Sequence, residues 1–237
     1  MTEFFRLLTD GLWGEQLIAG AWLSIKLALS TLPFGLVLGL LLAKGQDSHQ
    51  YLIATGASVL ATVFRGLPEL MTIFIVYYGG QIGLSALLSL IGWNKTVEIS
   101  AFFAGMLALG LVFGAFSSEV FKAAMHAIPR GQKEASHALG LSLWHTYKNV
   151  ILPQMWRVAL PGIGNLWMML LKDTALVSLI ALPDLMRVTN LAVSSTRLAF
   201  EFYLLTFSIY LLLSIISGHV FARLETRANR PFLAGSK

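Results

Sequence analysis

The chain has 237 residues, 56% of them apolar or aromatic and only 12% charged, with a mean hydropathy of +0.72. A soluble domain carries about 25% Asp, Glu, Lys and Arg, so this composition excludes an ordinary water-soluble protein and fits a chain solvated mostly by lipid. The absence of cysteine excludes disulfides, Cys zinc sites and thiol nucleophiles. The net charge of +5 comes with no Lys/Arg run or aromatic-basic patch, so no nucleic-acid partner is expected.

Met1 to Glu15 carries Glu3, Arg6, Asp10 and Glu15 and lacks the charge pattern of a signal peptide, so the first apolar segment is expected to be retained. A membrane-crossing helix needs roughly 20 mostly apolar residues. Five stretches qualify, at about Leu17–Ala43, Pro68–Leu90, Ile99–Phe121, Val158–Leu182 and Phe200–Phe221. A shorter apolar helix is expected at Tyr51–Phe64. Gly35 and Gly39, Gly105 and Gly110, and Gly162 and Gly164 let helix backbones approach closely, and packing within the chain accounts for them. Trp13, Trp22 and Trp93 are read as interfacial anchors, and Lys26 as a snorkelling residue.

The longest connection, Lys122 to Arg157, holds Lys122, Arg130, Lys133, Lys148 and Arg157. Excess Lys and Arg marks the cytoplasmic side. Placing this connection inside puts eleven basic residues inside against four outside (Arg6, Lys95, Arg187 and Arg197) and sends the N-terminus out and the C-terminus in. No internal repeat or long linker appears, so a single all-α membrane domain over residues 1–237 is expected.

Within this connection Pro129 should end the third span and Gly131 permits a turn. Lys133–Leu139 then reads as a short helix whose small residues Ala135, Ser136 and Ala138 leave a nearly bare surface, with Glu134 and His137 as polar handles. Gly140 stops it, Ser142 caps a second helix over Leu143–Leu152, and Pro153 closes that one. A bare helical surface suits docking into a groove on a partner.

Glu134-Ala135-Ser136, then Gly140, Val150 and Leu152-Pro153 at the spacing EAA-x3-G-x9-I-x-LP, resembles the EAA loop of ABC importer permeases, with Ser136 for the third Ala and Val150 for Ile. Phe64 to Leu70 resembles the FRGxPxL element of permeases for polar amino acids. Glu119 to Gln132, Leu160 to Asn165 and Leu171 to Leu179 are similar to further stretches of that family. The resemblance covers nearly the whole chain. It is to the histidine/lysine–arginine–ornithine/opine branch, above all to its Q-type subunit.

The resemblance implies a type I importer fold in the bacterial inner membrane and a heterodimer with a related M-type permease. It implies a dimer of separate ATP-binding subunits, which hold ATP and Mg, and a periplasmic binding protein that delivers the solute. It implies ATPase coupling by Gly131, Gln132, Lys133, Glu134, Ala135, Ser136, His137, Ala138, Gly140 and Leu141. The chain has no Gly-Lys dipeptide and hence no Walker A loop, so it binds no cofactor itself.

Lys172 and Asp173 lie inside the fourth span, where a charge costs roughly 2.5–3.5 kcal/mol on insertion scales and so pairs or lines a cavity. Asp173 either bonds another helix or meets a substrate's ammonium or guanidinium. Asn165, Thr174 and Ser178 can complete a polar stripe, or bond within the bundle. Thr174 and Ser178, four apart, share a face of an α-helix. Glu119 is expected to pair with Lys122. Arg65 and Glu69 flank Pro68 and can pair across that break, in a structural role or as a gate. His126, His137 and His145 lack the ligands that would complete a metal site.

An intramembrane enzyme would need a second carboxylate, a serine-histidine pair or a metal set beside Asp173 or Glu119, and none is evident. A passive channel has no use for a coupling loop. The expected function is import of basic amino acids or opines, the alternative being a neutral or acidic amino acid such as glutamine or glutamate.

Overall fold

A computed structural model describes residues 2–9, 13–92 and 97–233 of the chain. Trp93, Lys95 and Lys237, used in the sequence reading, lie outside the described residues. Among the described residues the secondary structure is helical throughout. Five helical runs are long and apolar enough to cross a membrane, at Trp13–Gln46, Glu69–Ser89, Ala101–His126, Leu143–Ile180 and Ala199–Arg230. All five contain the core of an expected span, extended at one or both ends in four of them.

A short helix α1 (Thr2–Thr9) precedes α2 (Trp13–Gln46), which runs for 34 residues through Pro33. At 1.5 Å per residue α2 is about 51 Å long, well beyond a hydrocarbon core of roughly 30 Å. Its end is tied to α6 (Ala101–His126): Gln46 Nε2 donates to Ser118 Oγ at 3.2 Å, and Lys122 Nζ donates to Gln46 Oε1 at 3.4 Å. Helix α3 (Tyr51–Gly66) stops at Leu67, which is extended at ψ 138° as a residue before proline prefers. The second span then starts with α4 (Glu69–Phe74), widens into a π turn at Ile75–Gly79 and ends as α5 (Gly80–Ser89).

α6 is the axis of the bundle and the most deeply buried of the five spans, while the second and the fifth are largely exposed. It meets α2 along a seam of reciprocal knobs and holes. Phe34 and Leu38 of α2 fill the space over Gly110 and Gly114, while Phe113 and Ser117 of α6 fill the space over Gly35 and Gly39. A Cβ at Gly35 would sit 2.6 Å from Phe113, and one at Gly114 2.8 Å from Leu38. Ser117 Oγ donates to the Gly35 carbonyl at 3.3 Å, a second tie across the seam. Gly105 and Gly162 likewise seat Val177 and Val120, so these glycines serve packing within the chain. Around the seam, Leu27, Ala28, Trp167, Leu171 and Val177 form the mid-bundle core.

The third connection differs from expectation in two places. α7 is Arg130–Ala138, beginning three residues before the predicted Lys133, so Gly131 lies inside its first turn and makes no turn of its own. Pro129, at φ −57° and ψ 137°, serves as the junction between helices. The second correction concerns Pro153. It does not close a helix: α8 (Leu143–Thr146) widens into a π turn, Tyr147–Ile151, and continues as α9 (Leu152–Asp173), with the proline in its first turn. The wide turn lets the chain carry a residue that lacks an N–H and would clash with the carbonyl four residues back.

Past Asp173 the helix tightens into a 3-10 stretch, Thr174–Ile180. α10 (Leu185–Thr196) follows, and α11 (Ala199–Leu233) ends the description. α10 is capped by Asp184, whose carboxylate accepts from the Arg187 and Met186 N–H groups at 3.0 and 3.2 Å.

Candidate functional site

The geometry at the end of α7 explains its glycine. Gly140 N–H donates to the His137 carbonyl at 2.9 Å and Leu141 N–H to the Ser136 carbonyl at 3.1 Å. This double closure is a Schellman motif, which needs a left-handed residue after the helix, and Gly140 has φ +73°. A Cβ there would meet nothing within 4 Å, so the requirement is conformational and not steric. Ser142 caps α8 as expected, its Oγ accepting from His145 N–H at 3.4 Å.

Every residue of α7 is exposed except Ser136, which is 3% exposed and donates to the Gln132 carbonyl at 2.7 Å. Ser136 therefore does not belong to the bare outer surface. It sits on the inner face, where α8 and the π turn pack and where Thr146 is also buried. Lys133 Nζ lies 5.6 Å from the centre of the Tyr147 ring, and Gln154 Nε2 donates to Gln132 Oε1 at 3.4 Å, so the outer helix is braced on the next one. The surface left free carries Gly131, Glu134, Ala135, His137 and Ala138, together with Gly140, while Leu141 is partly covered. Beside it stand three apolar side chains that the sequence reading missed: Leu139, Leu143 and Trp144, 80%, 65% and 70% exposed. Their signal was available in the sequence, as bulky apolar residues set in a connection between two spans. The result is a rigid, partly apolar, two-helix platform.

A second constellation lies within the spans. Asp173 and Glu69 both line a cleft of about 20 Å³ between α4, α6 and α9, walled by Leu109, Phe113, Phe116 and Leu166. Such a volume holds about one water. Glu69 reaches this cleft because it does not pair with Arg65, as the sequence suggested. Arg65 instead bridges to Glu119 at 2.9 Å, and Lys122, the expected partner of Glu119, turns to Gln46. The kink at Pro68 carries Arg65 toward α6 and Glu69 toward α9.

The expected polar stripe does not form. Thr174 and Ser178 lie in the 3-10 segment, where three residues complete a turn, so a spacing of four no longer aligns them. Both are buried, and Thr174 donates back to the Leu171 carbonyl at 2.8 Å. Asn165 is exposed on the outer face of α9. Asp173 alone of these four lines the cleft. Lys172 beside it is exposed, and Lys26 lies 5.5 Å from the centre of the Trp22 ring. Among the described residues no group of three or more His, Asp or Glu is placed to hold a metal.

The described residues thus form a bundle with five helical runs able to cross a membrane and a two-helix platform between the third and the fourth. Residues 35–230 match the family model described as binding-protein-dependent transport system inner membrane component, and the chain belongs to that family. It is 38% identical over 222 residues to the nopaline transport system permease protein NocQ of Agrobacterium fabrum, covering 93% of this chain and 94% of that one. It is 35% identical over 242 residues to the arginine ABC transporter permease protein ArtQ of Escherichia coli, covering 97% and 98%. The crystal structure of an amino acid ABC transporter with histidines superposes with a TM-score of 0.76 at 30% identity, covering 91% of this chain and 95% of that one. The chain is thus a transporter subunit and not an enzyme, with ATPase activity in a separate chain.

Proposed function

We propose that this chain is the Q-type half of a translocation path for basic amino acids or opines, and that Asp173 and Glu69 meet the cationic group of the solute. The observation that carries this reading is the convergence of two carboxylates on one cleft with apolar walls. Two like charges in such a place are costly unless a cation offsets them, and an ammonium or guanidinium supplies that cation. The permeases for nopaline and arginine among its relatives support the same substrate class.

In this reading the whole chain is one translocating domain in the inner membrane, with its N-terminus periplasmic and its C-terminus cytoplasmic. It pairs with an M-type permease and receives solute from a periplasmic binding protein. A dimer of ATP-binding subunits, carrying ATP and Mg, docks on the platform. Glu134, Ala135, His137 and Ala138 face that partner. Gln132 and Lys133 brace the helix from behind, and Ser136 seals it to its own loop. Closure of the ATPases then moves α7, and α9 continues from the same rigid segment to Asp173, so the motion reaches the cleft.

Uptake of labelled arginine, lysine, histidine, an opine, glutamine and glutamate tests the substrate class. Removing one charged partner of a hydrogen bond costs about 1.5–3 kcal/mol. Asp173→Asn and Glu69→Gln should therefore each lower uptake of the cationic solute by about tenfold or more while leaving any neutral solute nearly unchanged. Equal losses for glutamine and arginine would make both carboxylates structural. The absence of cysteine allows a direct check of topology. Leu139→Cys should react with a membrane-impermeant maleimide only after the cells are opened, and labelling of intact cells would reverse the orientation.

A further inference from the structure

Beside the platform lies a groove of about 460 Å³, within the range of roughly 300–1,000 Å³ of ligand-binding clefts. Val37 and Leu41 of α2 form one wall, and Ile151 and Met155 the other. Trp144 and Tyr147 stand along it, and Lys44 and Lys148 line it as well. Both lysines are exposed and take no part in any ion pair seen among the described residues.

Two features say what the groove takes. It is open along α2, whose outward residues Val37 and Leu41 are 58% and 63% exposed and have the apolar character that faces lipid in a membrane. Its cations come from two elements: Lys44 lies in the last turn of α2 and Lys148 in the π turn. Apolar walls continuous with the bilayer, tryptophan and tyrosine as at a membrane interface, and paired cations match an acyl chain joined to a negatively charged headgroup. The geometry points to a specific site for an anionic phospholipid, its chain along Val37, Leu41 and Met155 and its phosphate between Lys44 and Lys148. The site rests on the proposed cytoplasmic placement of the platform, which puts it in the inner leaflet. Because the π turn carries both Lys148 and Tyr147, and Tyr147 carries Lys133 of α7, the lipid would brace the coupling helix.

The test reconstitutes the assembled transporter into vesicles containing either brominated phosphatidylglycerol or brominated phosphatidylcholine. Quenching is read as the difference between the wild-type chain and Trp144→Phe, which isolates Trp144. Each lysine near an anionic surface contributes about a factor of five. Wild type should show quenching at much lower fractions of the brominated anionic lipid than of the zwitterionic one. Lys44→Gln with Lys148→Gln should reduce that preference by roughly 30-fold. Equal quenching by both headgroups overturns the site, and so does a preference that survives loss of both lysines. Absence of quenching by either lipid means that protein fills the groove and also overturns it. The maleimide result at Leu139→Cys separates these failures from an inverted topology.

Discussion

Glycine does opposite work at the α2–α6 seam and at the platform. At the seam Gly35, Gly39, Gly110 and Gly114 keep ordinary helical geometry and are needed for the room they leave, each filled by a side chain of the facing helix. At Gly140 there is open space on every side, and what is needed is a backbone angle of +73°. The seam holds the bundle together and, in the proposed function, the platform transmits force, so damage at one should remove the protein while damage at the other should leave it in place and idle.

Gly110→Leu gives the largest expected effect. Phe34 already occupies that space, and overpacking costs about 1–3 kcal/mol or more. The amount of chain in the membrane fraction should fall severely, and uptake with it. Normal membrane levels would show that the seam can part without unfolding, and the contrast would lose one side.

Gly140→Val comes next. A left-handed residue with a side chain costs about 1–2 kcal/mol, and asparagine tolerates the conformation better than valine. Uptake should be lost in Gly140→Val at normal membrane level and largely kept in Gly140→Asn. If both variants are equally inactive, docking space at that point matters and the angle does not. Glu134→Lys should also abolish uptake at normal level, because Glu134 is exposed and its loss disturbs no core.

A smaller effect is expected at the joint between the two regions, where Arg65 meets Glu119 at 2.9 Å with side chains 30% and 43% exposed. Partly exposed pairs contribute roughly 0.2–1 kcal/mol. Arg65→Glu or Glu119→Arg alone should lower uptake about two- to fivefold, and the double exchange should recover it. Failure of the exchange to recover uptake would mean that one of the two side chains has another partner in the assembled transporter.

The five spans and the platform were legible because each depends on a local pattern: an apolar run of sufficient length, a glycine at a helix end, a serine cap. The pairings were not. Arg65–Glu69, across the break at Pro68, and Glu119–Lys122, along one helix, were both read from short spacing in the sequence, yet Arg65 meets Glu119, 54 positions away. The same limit applies to Thr174 and Ser178, where an α-helical period was assumed and the chain winds as 3-10. Ser136 was counted in the docking surface because its neighbours are small, but which face of so short a helix turns inward depends on α8 and the π turn. In each case the deciding contact lies outside the window in which the pattern was read.

The smallest effect expected is at Asp184, which lies between the fourth and fifth spans and holds a second close approach. A Cβ on Gly20 of α2 would sit 3.0 Å from the Asp184 backbone, and Ser24 Oγ accepts from Leu185 N–H at 3.3 Å. The cap of α10 is thereby pressed against α2 and buried. Burial pushes the Asp184 carboxyl from its ordinary 3.8 up to about 6, against the opposing pull of the Arg187 and Met186 N–H groups. The folded protein therefore holds this proton over a range in which the unfolded chain has released it. That contribution to stability is complete below the ordinary carboxylate range and is lost as pH rises through about 6. Asp184→Asn keeps an oxygen to accept from Arg187 and cannot ionise. The thermal midpoint of the purified transporter should fall less for Asp184→Asn than for wild type between about pH 4 and pH 7, the difference between the two curves removing every other titrating group. Parallel curves would mean that Asp184 reaches water in the assembled transporter, and the contact between α10 and α2 would then be looser than the seam between α2 and α6.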